Sequence, residues 1–325
     1  RHLRDEGRTM MLVSHNLEEV LDIADTITVF RDGNVVKTAP RTDWTKTSLV
    51  QAMIGHAVRS GERLLPAAPP REGPPLLAVR GTRLDGAISD VSFQVRAGET
   101  LGIGGLVGSG RSSLLRSVAG LEPKSHGDMM IDGVAVPWPR NPRQALRLGI
   151  ALVPEDRKTQ GLVLGRNAVD NVVMTRFGRV ARWGVLNRTA MREGASAAVR
   201  EMGLDVRRIG QPVRHLSGGN QQKVLLAKRV YEPPRVLMVD EPTRGIDIGA
   251  KEEIMRRLRA MADSGMAVIV VSSELEEVVA MSDRVLVLSH GQTAARLDAA
   301  QDEVSVQSIL NAAFRITGED HASSL

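Results

Sequence analysis

The chain has 325 residues, 42% of them hydrophobic, and no cysteine, which excludes disulfides, thiolate metal sites and cysteine nucleophiles and suits a reducing cytoplasm. Its 43 Lys and Arg against 38 Asp and Glu give a net charge of +5, scattered rather than clustered, and aromatics at 2% leave little material for stacking on bases. The length suits about two domains, and no apolar run is long enough to span a bilayer, so any membrane role is expected to be peripheral.

The opening Arg1-His2-Leu3-Arg4 has neither an initiator Met nor an apolar core, and reads as the interior of a longer polypeptide. An internal repeat follows. Met11-Leu12-Val13-Ser14-His15-Asn16-Leu17-Glu18-Glu19-Val20 has its counterpart in Ile269-Val270-Val271-Ser272-Ser273-Glu274-Leu275-Glu276-Glu277-Val278. Ser272, Asp283 and Gly291 each stand 258 residues after Ser14, Asp25 and Gly33. One register held through strand, helix and strand implies duplicated domains rather than a solenoid. Residues 1–58 are then the tail of a first copy and 76–325 a second, complete one. Between them, residues 59–75 carry Pro66, Pro69, Pro70, Pro74 and Pro75, a stiff and extended linker.

In the second copy, Val91–Val95, the turn Arg96-Ala97-Gly98-Glu99 and the strand from Thr100 have the pattern of a hairpin. Met129–Ile131 and Val134–Val136 form another about the Asp132-Gly133 turn. Ile150–Val153, Val236–Val239 and Ala267–Val271 read as buried strands. Between the last two, Ile254, Leu258 and Met261 share one helix face, with Glu252 and Glu253 four residues before Arg256 and Arg257. Residues 160–215 read as mostly helical. Strands alternating with helices predict a parallel sheet covered on both faces, with the antiparallel hairpins appended.

The chemistry concentrates in three stretches. Gly105-Leu106-Val107-Gly108-Ser109-Gly110-Arg111-Ser112-Ser113 lies between an apolar strand and an apolar helix, the context of a phosphate-binding loop. Its glycines let backbone N–H groups converge on phosphate oxygens, and the helix start adds a favourable dipole. Asp240-Glu241 ends the buried strand from Val236, which puts two acids at the carboxyl edge of the sheet. There Asp240 with the Ser112 hydroxyl suits Mg²⁺, and Glu241 suits an attacking water. Leu216-Ser217-Gly218-Gly219-Asn220-Gln221-Gln222-Lys223 places a capping Ser and two glycines at a helix start, open to an anion. A plain helix cap would account for the Ser and one Gly, not for the whole stretch.

This last stretch resembles the signature motif of ATP-binding-cassette ATPases. Its Asn-Gln-Gln-Lys continuation looks like bacterial monosaccharide importers of the ribose, xylose or galactose type, with two cassettes in one polypeptide. Glu241-Pro242-Thr243-Arg244-Gly245-Ile246-Asp247 is similar to that family's acid motif and dimer-contact loop. The resemblance implies an α/β P-loop NTPase fold: a mostly parallel core sheet, appended antiparallel β hairpins and a helical subdomain at about 156–215. It implies ATP and Mg²⁺ as cofactors, with Gly105, Gly108, Ser109, Gly110, Arg111, Ser112, Ser113 and Ser273 on one nucleotide. Leu216, Ser217, Gly218, Gly219, Gln221 and Asp247 then meet a second nucleotide across a head-to-tail interface with the first cassette. Glu155 joins Ser112 and Asp240 at the metal, and Glu241 and His15 are the catalytic residues.

Four departures mark the site of the second copy. Arg111 stands where the motif has Lys, and a planar guanidinium does not fill a compact ammonium site unchanged. Glu155 stands for the usual Gln, Ser273 for the His of the first copy, and no Tyr or Phe before Phe93 is placed to stack on adenine. This site is therefore expected to hold nucleotide and hydrolyse it poorly. The resemblance further implies a peripheral subunit on the cytoplasmic face of the bacterial inner membrane, coupled to integral-membrane permease subunits and, indirectly, to a periplasmic sugar-binding protein. Nucleic acid is not expected. The alternative is a soluble tandem-cassette ATPase acting on ribosomes or nucleic acid, against which the short linker and few aromatics speak.

Overall fold

The computed structural model describes residues 9–13, 17–31, 34–45, 48–49, 52, 74–183, 185–246, 248–302 and 304–319. Two units divide after Glu62. In the first, α1 (Leu17–Ile23) leads into β1 (Thr26–Arg31), paired antiparallel with β2 (Asn34–Pro40). Alternation sets this hairpin: Ile27 and Val29 are buried, while the Thr28 hydroxyl faces outward and meets that of Thr38 at 3.1 Å. Trp44 closes its end, its Nε1 donating to the Ala39 carbonyl at 3.3 Å beneath the Lys37 ammonium.

The second unit opens with β3 (Leu77–Leu84), β4 (Ile88–Val95) and β5 (Thr100–Gly105), followed by α2 (Arg111–Val118). Next come β6 (His126–Ile131), β7 (Val134–Val136), α3 (Pro142–Arg147) and β8 (Ile150–Val153). A helical stretch then holds α4 (Ala168–Val173), the short hairpin β9 (Ala181–Arg182) and β10 (Val185–Leu186), α5 (Arg188–Glu201) and α6 (Gly218–Tyr231). The chain returns through β11 (Val236–Asp240), α7 (Ile248–Asp263), β12 (Ala267–Val271), α8 (Leu275–Met281), β13 (Arg284–Ser289), β14 (Gln292–Asp298) and α9 (Val306–Glu319).

Ten strands form one mixed sheet in the order β7-β6-β3-β4-β14-β13-β5-β12-β11-β8. The five from β13 to β8 are parallel, as expected, and β7, β6, β3 and β4 run antiparallel. The antiparallel part continues the sheet through a single β4–β14 pair, Asp90 with Gln292. The parallel strands are apolar through their middles, with polar residues such as Thr100, Asp240, Arg284 and Ser289 at their ends, because both faces are covered. Leu237 and Val239 of β11 pack toward α4–α7, and Val236 and Met238 pack toward α2. Each such side chain contributes roughly 1.5–3 kcal/mol by leaving water. Ile254, Leu258 and Met261 of α7 are buried together, as their spacing predicts.

The hairpin expected between β4 and β5 is not formed. Arg96–Glu99 is a crossover: the Gly98 N–H donates to Met266 O and the Val268 N–H to Glu99 O, which seats β5 between β13 and β12. The β6–β7 hairpin is present, with Asp132 and Gly133 both at positive φ (50° and 76°) as a tight two-residue turn requires.

The repeat is structural as well as sequential. The bounds of α1, β1 and β2, moved 258 residues on, are those of α8, β13 and β14. The bulge between Val29 and Phe30 recurs between Val287 and Leu288. The Arg41 N–H bond to Asp25 O (2.9 Å) recurs as Ala299 N–H to Asp283 O (3.1 Å).

Candidate nucleotide site

β5 ends at Gly105 with φ 142°, where a Cβ would collide with the Leu288 carbonyl, so only glycine lets the chain turn out of the sheet here. Gly108 and Gly110 are also at positive φ (83° and 96°), and Gly110 is the residue from which α2 starts. The first helical bond runs from the Leu114 N–H to Gly110 O, at 2.9 Å. The N–H groups of Arg111, Ser112 and Ser113 therefore have no acceptor within the helix and point with the dipole toward the loop. Ser109 Oγ is buried without a partner among the described residues, and Gly108 has open space where a Cβ would stand. Loop and helix start together fit the oxygens of a phosphate chain.

Beneath the loop, Ser112 Oγ donates to Asp240 Oδ1 at 3.0 Å, joining the helix start to the end of β11. Burial pushes the Asp240 carboxyl up to about 6; Glu241 adds to this, while the Ser112 hydrogen bond and Arg111 oppose it. These two oxygen donors suit a hard divalent cation, which would restore the charged form.

Arg111 lies under the loop, 7% exposed, and its guanidinium donates to the Ser272 carbonyl. Its pKa is lowered by burial, against the pull of Glu241 and Asp240. Glu241, at φ 50°, is held by its N–H bond to Val271 O at 2.8 Å, and its carboxylate accepts from Ser273 Oγ at 2.9 Å. Gly105–Ser113, Asp240, Glu241 and Ser273 thus stand together at one edge of the sheet.

Two expected ligands are turned elsewhere. Glu155 is ion-paired with Arg244, because the loops after β8 and β11 set opposite charges side by side. Among the described residues, no group of three or more acidic or His side chains could hold a metal ion. Gln221 is 6% exposed, and its amide donates to Val213 O (3.3 Å) and Leu216 O (3.1 Å). It braces the loop before α6 rather than facing a ligand, since those buried carbonyls need a donor. At the start of α6, Leu216 is buried, the exposed Ser217 caps the helix toward the Asn220 N–H, and Gly218 and Gly219 open its first turn. His15 and Asp247 lie outside the described residues.

Two contacts went unread in the sequence. Arg157 donates to the carbonyls of Arg244 (2.7 Å) and Gly245 (3.3 Å), and its guanidinium lies where a Cβ on Gly218 would stand. The loop after β8, the loop after β11 and the start of α6 therefore meet on one side chain. Glu277, buried at the start of α8, accepts from Thr243 Oγ1 (2.5 Å) and Ser272 Oγ (2.8 Å), with Lys251 at 3.6 Å. Burial raises its pKa, and the two hydroxyls oppose that. The repeat carried a signal for Glu277, since Glu19 occupies the matching place in the first copy.

Residues 88–244 match the family model for ABC transporters. Over 310 residues the chain is 41% identical to the ribose import ATP-binding protein RbsA 1 of Streptomyces avermitilis, covering 95% of this chain and 58% of that protein. The chain carries an ABC transporter ATPase domain. The ribose import ATP-binding protein RbsA of Rhodococcus jostii is 40% identical, covering 99% of this chain and 62% of its own length. A putative ribose/galactose/methyl galactoside import ATP-binding protein of Ralstonia nicotianae is 39% identical, over 94% and 59%. The chain thus spans about three-fifths of these relatives. A nucleotide-free ATP-binding cassette from an ABC transporter superposes with TM-score 0.62 at 18% identity, over 73% of this chain and 95% of that one. A dimeric cassette in a post-hydrolysis state, bound to ADP and Pi, superposes with TM-score 0.57 at 22% identity, over 68% and 98%. The architecture is the P-loop ABC ATPase fold, with a curled mixed sheet.

Proposed function

We propose that this chain is part of the ATP-hydrolysing, energy-coupling subunit of a sugar import complex, with residues 1–58 closing a first cassette, 59–75 a linker and 76–325 a second cassette. The observation that carries the reading is the Ser112–Asp240 hydrogen bond at the mouth of the glycine loop, which joins a phosphate cradle to an acid at the sheet edge. The relatives named for ribose and galactoside import support the substrate class. The partners are then membrane permease subunits, with a periplasmic sugar-binding protein acting through them, at the cytoplasmic face of the inner membrane.

In this reading the loop N–H groups and Ser113 hold the triphosphate of ATP. Ser112 and Asp240 hold Mg²⁺, which supplies charge neutralisation for phosphoryl transfer. Glu241 is placed to orient the attacking water, but it shares its carboxylate with Ser273, which stands where a His would contact the terminal phosphate. Arg111 is withdrawn to the Ser272 carbonyl and Glu155 to Arg244. This site therefore holds nucleotide and turns it over slowly. The faster site is completed by Leu216–Gly219 from this cassette, with His15 and the phosphate loop of the other.

Titration of the chain with a fluorescent ATP analogue, alongside Arg111→Ala, tests this. Weak Mg²⁺-dependent binding is expected, weakened further by the substitution, with hydrolysis well below about 1 s⁻¹, a low turnover for enzymes. Hydrolysis at or above that rate by the chain alone would overturn the slow-site reading. Equal binding by both proteins would make Arg111 a bystander.

A further inference from the structure

Between α4 and α5 the chain raises a small hairpin that the nucleotide chemistry does not use. Its turn carries Trp183, 94% exposed and at φ 52°, a conformation that bulky residues rarely adopt. Val185 is 71% exposed, and Phe177 and Leu186 add further apolar surface beside it. The hairpin is anchored at its base. The Arg179 guanidinium donates to Tyr231 O at 2.6 Å and lies over the Tyr231 ring, Arg176 pairs with Glu232, and the Asn187 N–H donates to Val180 O at 2.7 Å. An aromatic tip on a braced base is a feature that folding itself does not require.

Arginines outnumber acids around the hairpin. Residues 171–192 contain Arg176, Arg179, Arg182, Arg188 and Arg192 and no Asp or Glu, with Asp170 and Glu193 at the two ends of the stretch and Arg176 already paired with Glu232. The tip stands out into solvent, with Trp183 and Val185 largely exposed, which suits a soft surface that the tip can enter. Tryptophan settles at the level of lipid head groups, arginine pairs with phosphate there, and an apolar tip reaches the acyl boundary. We infer that this hairpin is a docking element for an anionic lipid surface, with Trp183 and Val185 entering the head-group layer and Arg188 and Arg192 on lipid phosphates.

The chain contains its own reporter. Its three tryptophans are Trp44, Trp138 and Trp183, and the first two are 3% and 8% exposed, so a change in tryptophan solvation on binding reads the hairpin. The full chain is mixed with protein-free vesicles of phosphatidylglycerol and phosphatidylcholine, or of phosphatidylcholine alone, without nucleotide. The outcome is thus independent of the transport reading. Anionic vesicles are expected to shift emission to shorter wavelength, protect it from acrylamide and carry the chain down on sedimentation, with all three effects lost at about 0.5 M salt. Trp183→Ser should abolish the emission change. The double variant Arg188→Glu, Arg192→Glu should weaken sedimentation at least about 25-fold, since each arginine near such a surface is worth roughly fivefold and each glutamate adds repulsion. Unchanged circular-dichroism melting of these surface variants is the folding control, and the parent's emission needs no variant. No shift with anionic vesicles, an equal shift with phosphatidylcholine alone, or retention only on vesicles bearing a permease would overturn the inference.

Discussion

The phosphate-loop edge of the sheet and the start of α6 are built from the same materials, glycines, hydroxyls and free helix N–H groups, yet they are satisfied in opposite ways. At the sheet edge the polar side chains close on one another: Ser112 on Asp240, Ser273 on Glu241, Thr243 and Ser272 on Glu277, Arg111 on the Ser272 carbonyl. At the start of α6, Ser217 is exposed and bonds within its own helix. The difference teaches where rigidity and where complementarity are invested. An edge that balances its charges internally keeps its shape before a ligand arrives, while at the start of α6 the Ser217 hydroxyl alone is set at the surface, over the buried Leu216 and Gln221.

The largest test of this contrast is Glu277→Ala, which leaves the Thr243 and Ser272 hydroxyls buried without an acceptor. A loss of about 3 kcal/mol in urea unfolding is expected. A loss within error would mean that the cluster does not hold the edge together.

Next in size is Asp240→Asn, which keeps an acceptor for Ser112 while removing the buried charge. Because the folded pKa of Asp240 lies at about 6, above the ordinary 3.8, folding retains a proton that the unfolded chain releases. The contribution of Asp240 to stability therefore falls as pH rises from about 4 to about 6 and levels off above, beside a fall of the same sign from Glu277, whose pKa burial also raises. The variant should lack the Asp240 component and be up to about 3 kcal/mol more stable at pH 8, with no advantage at pH 3.5. Parallel pH profiles for the two proteins would remove Asp240 as the source. Magnesium should narrow the gap in the parent by favouring the charged carboxylate.

The smallest effect belongs to the outward-facing end. Ser217→Ala removes only a cap and should cost about 1 kcal/mol. It should leave the Asp240 pH dependence untouched, and a change in that profile would show the two ends to be coupled, with Arg157 as the evident link.

Local pattern carried a large share of this protein. The strands Ile150–Val153 and Ala267–Val271 have the bounds that their apolar runs predict, because a strand covered on both faces has no polar position to blur its ends. The Asp132-Gly133 turn declared itself because few residues accept two successive positive φ angles. The glycine loop and the Asp240-Glu241 strand end were legible since each needs particular residues within a short stretch. Arg157 left no local signal, because its partners lie 87 and 88 positions away.

The sequence by itself determined the repeat, the buried strands, the glycine loop and the family. All of these rest on residues close along the chain or on one constant offset. Tertiary structure alone decided that β5 leaves β4 for a place between β13 and β12, that Arg111 and Gln221 turn inward, and that Glu155 meets Arg244. Strand neighbours and ion-pair partners are chosen by burial and by charges brought together from distant segments, and spacing along the chain carries no trace of that choice.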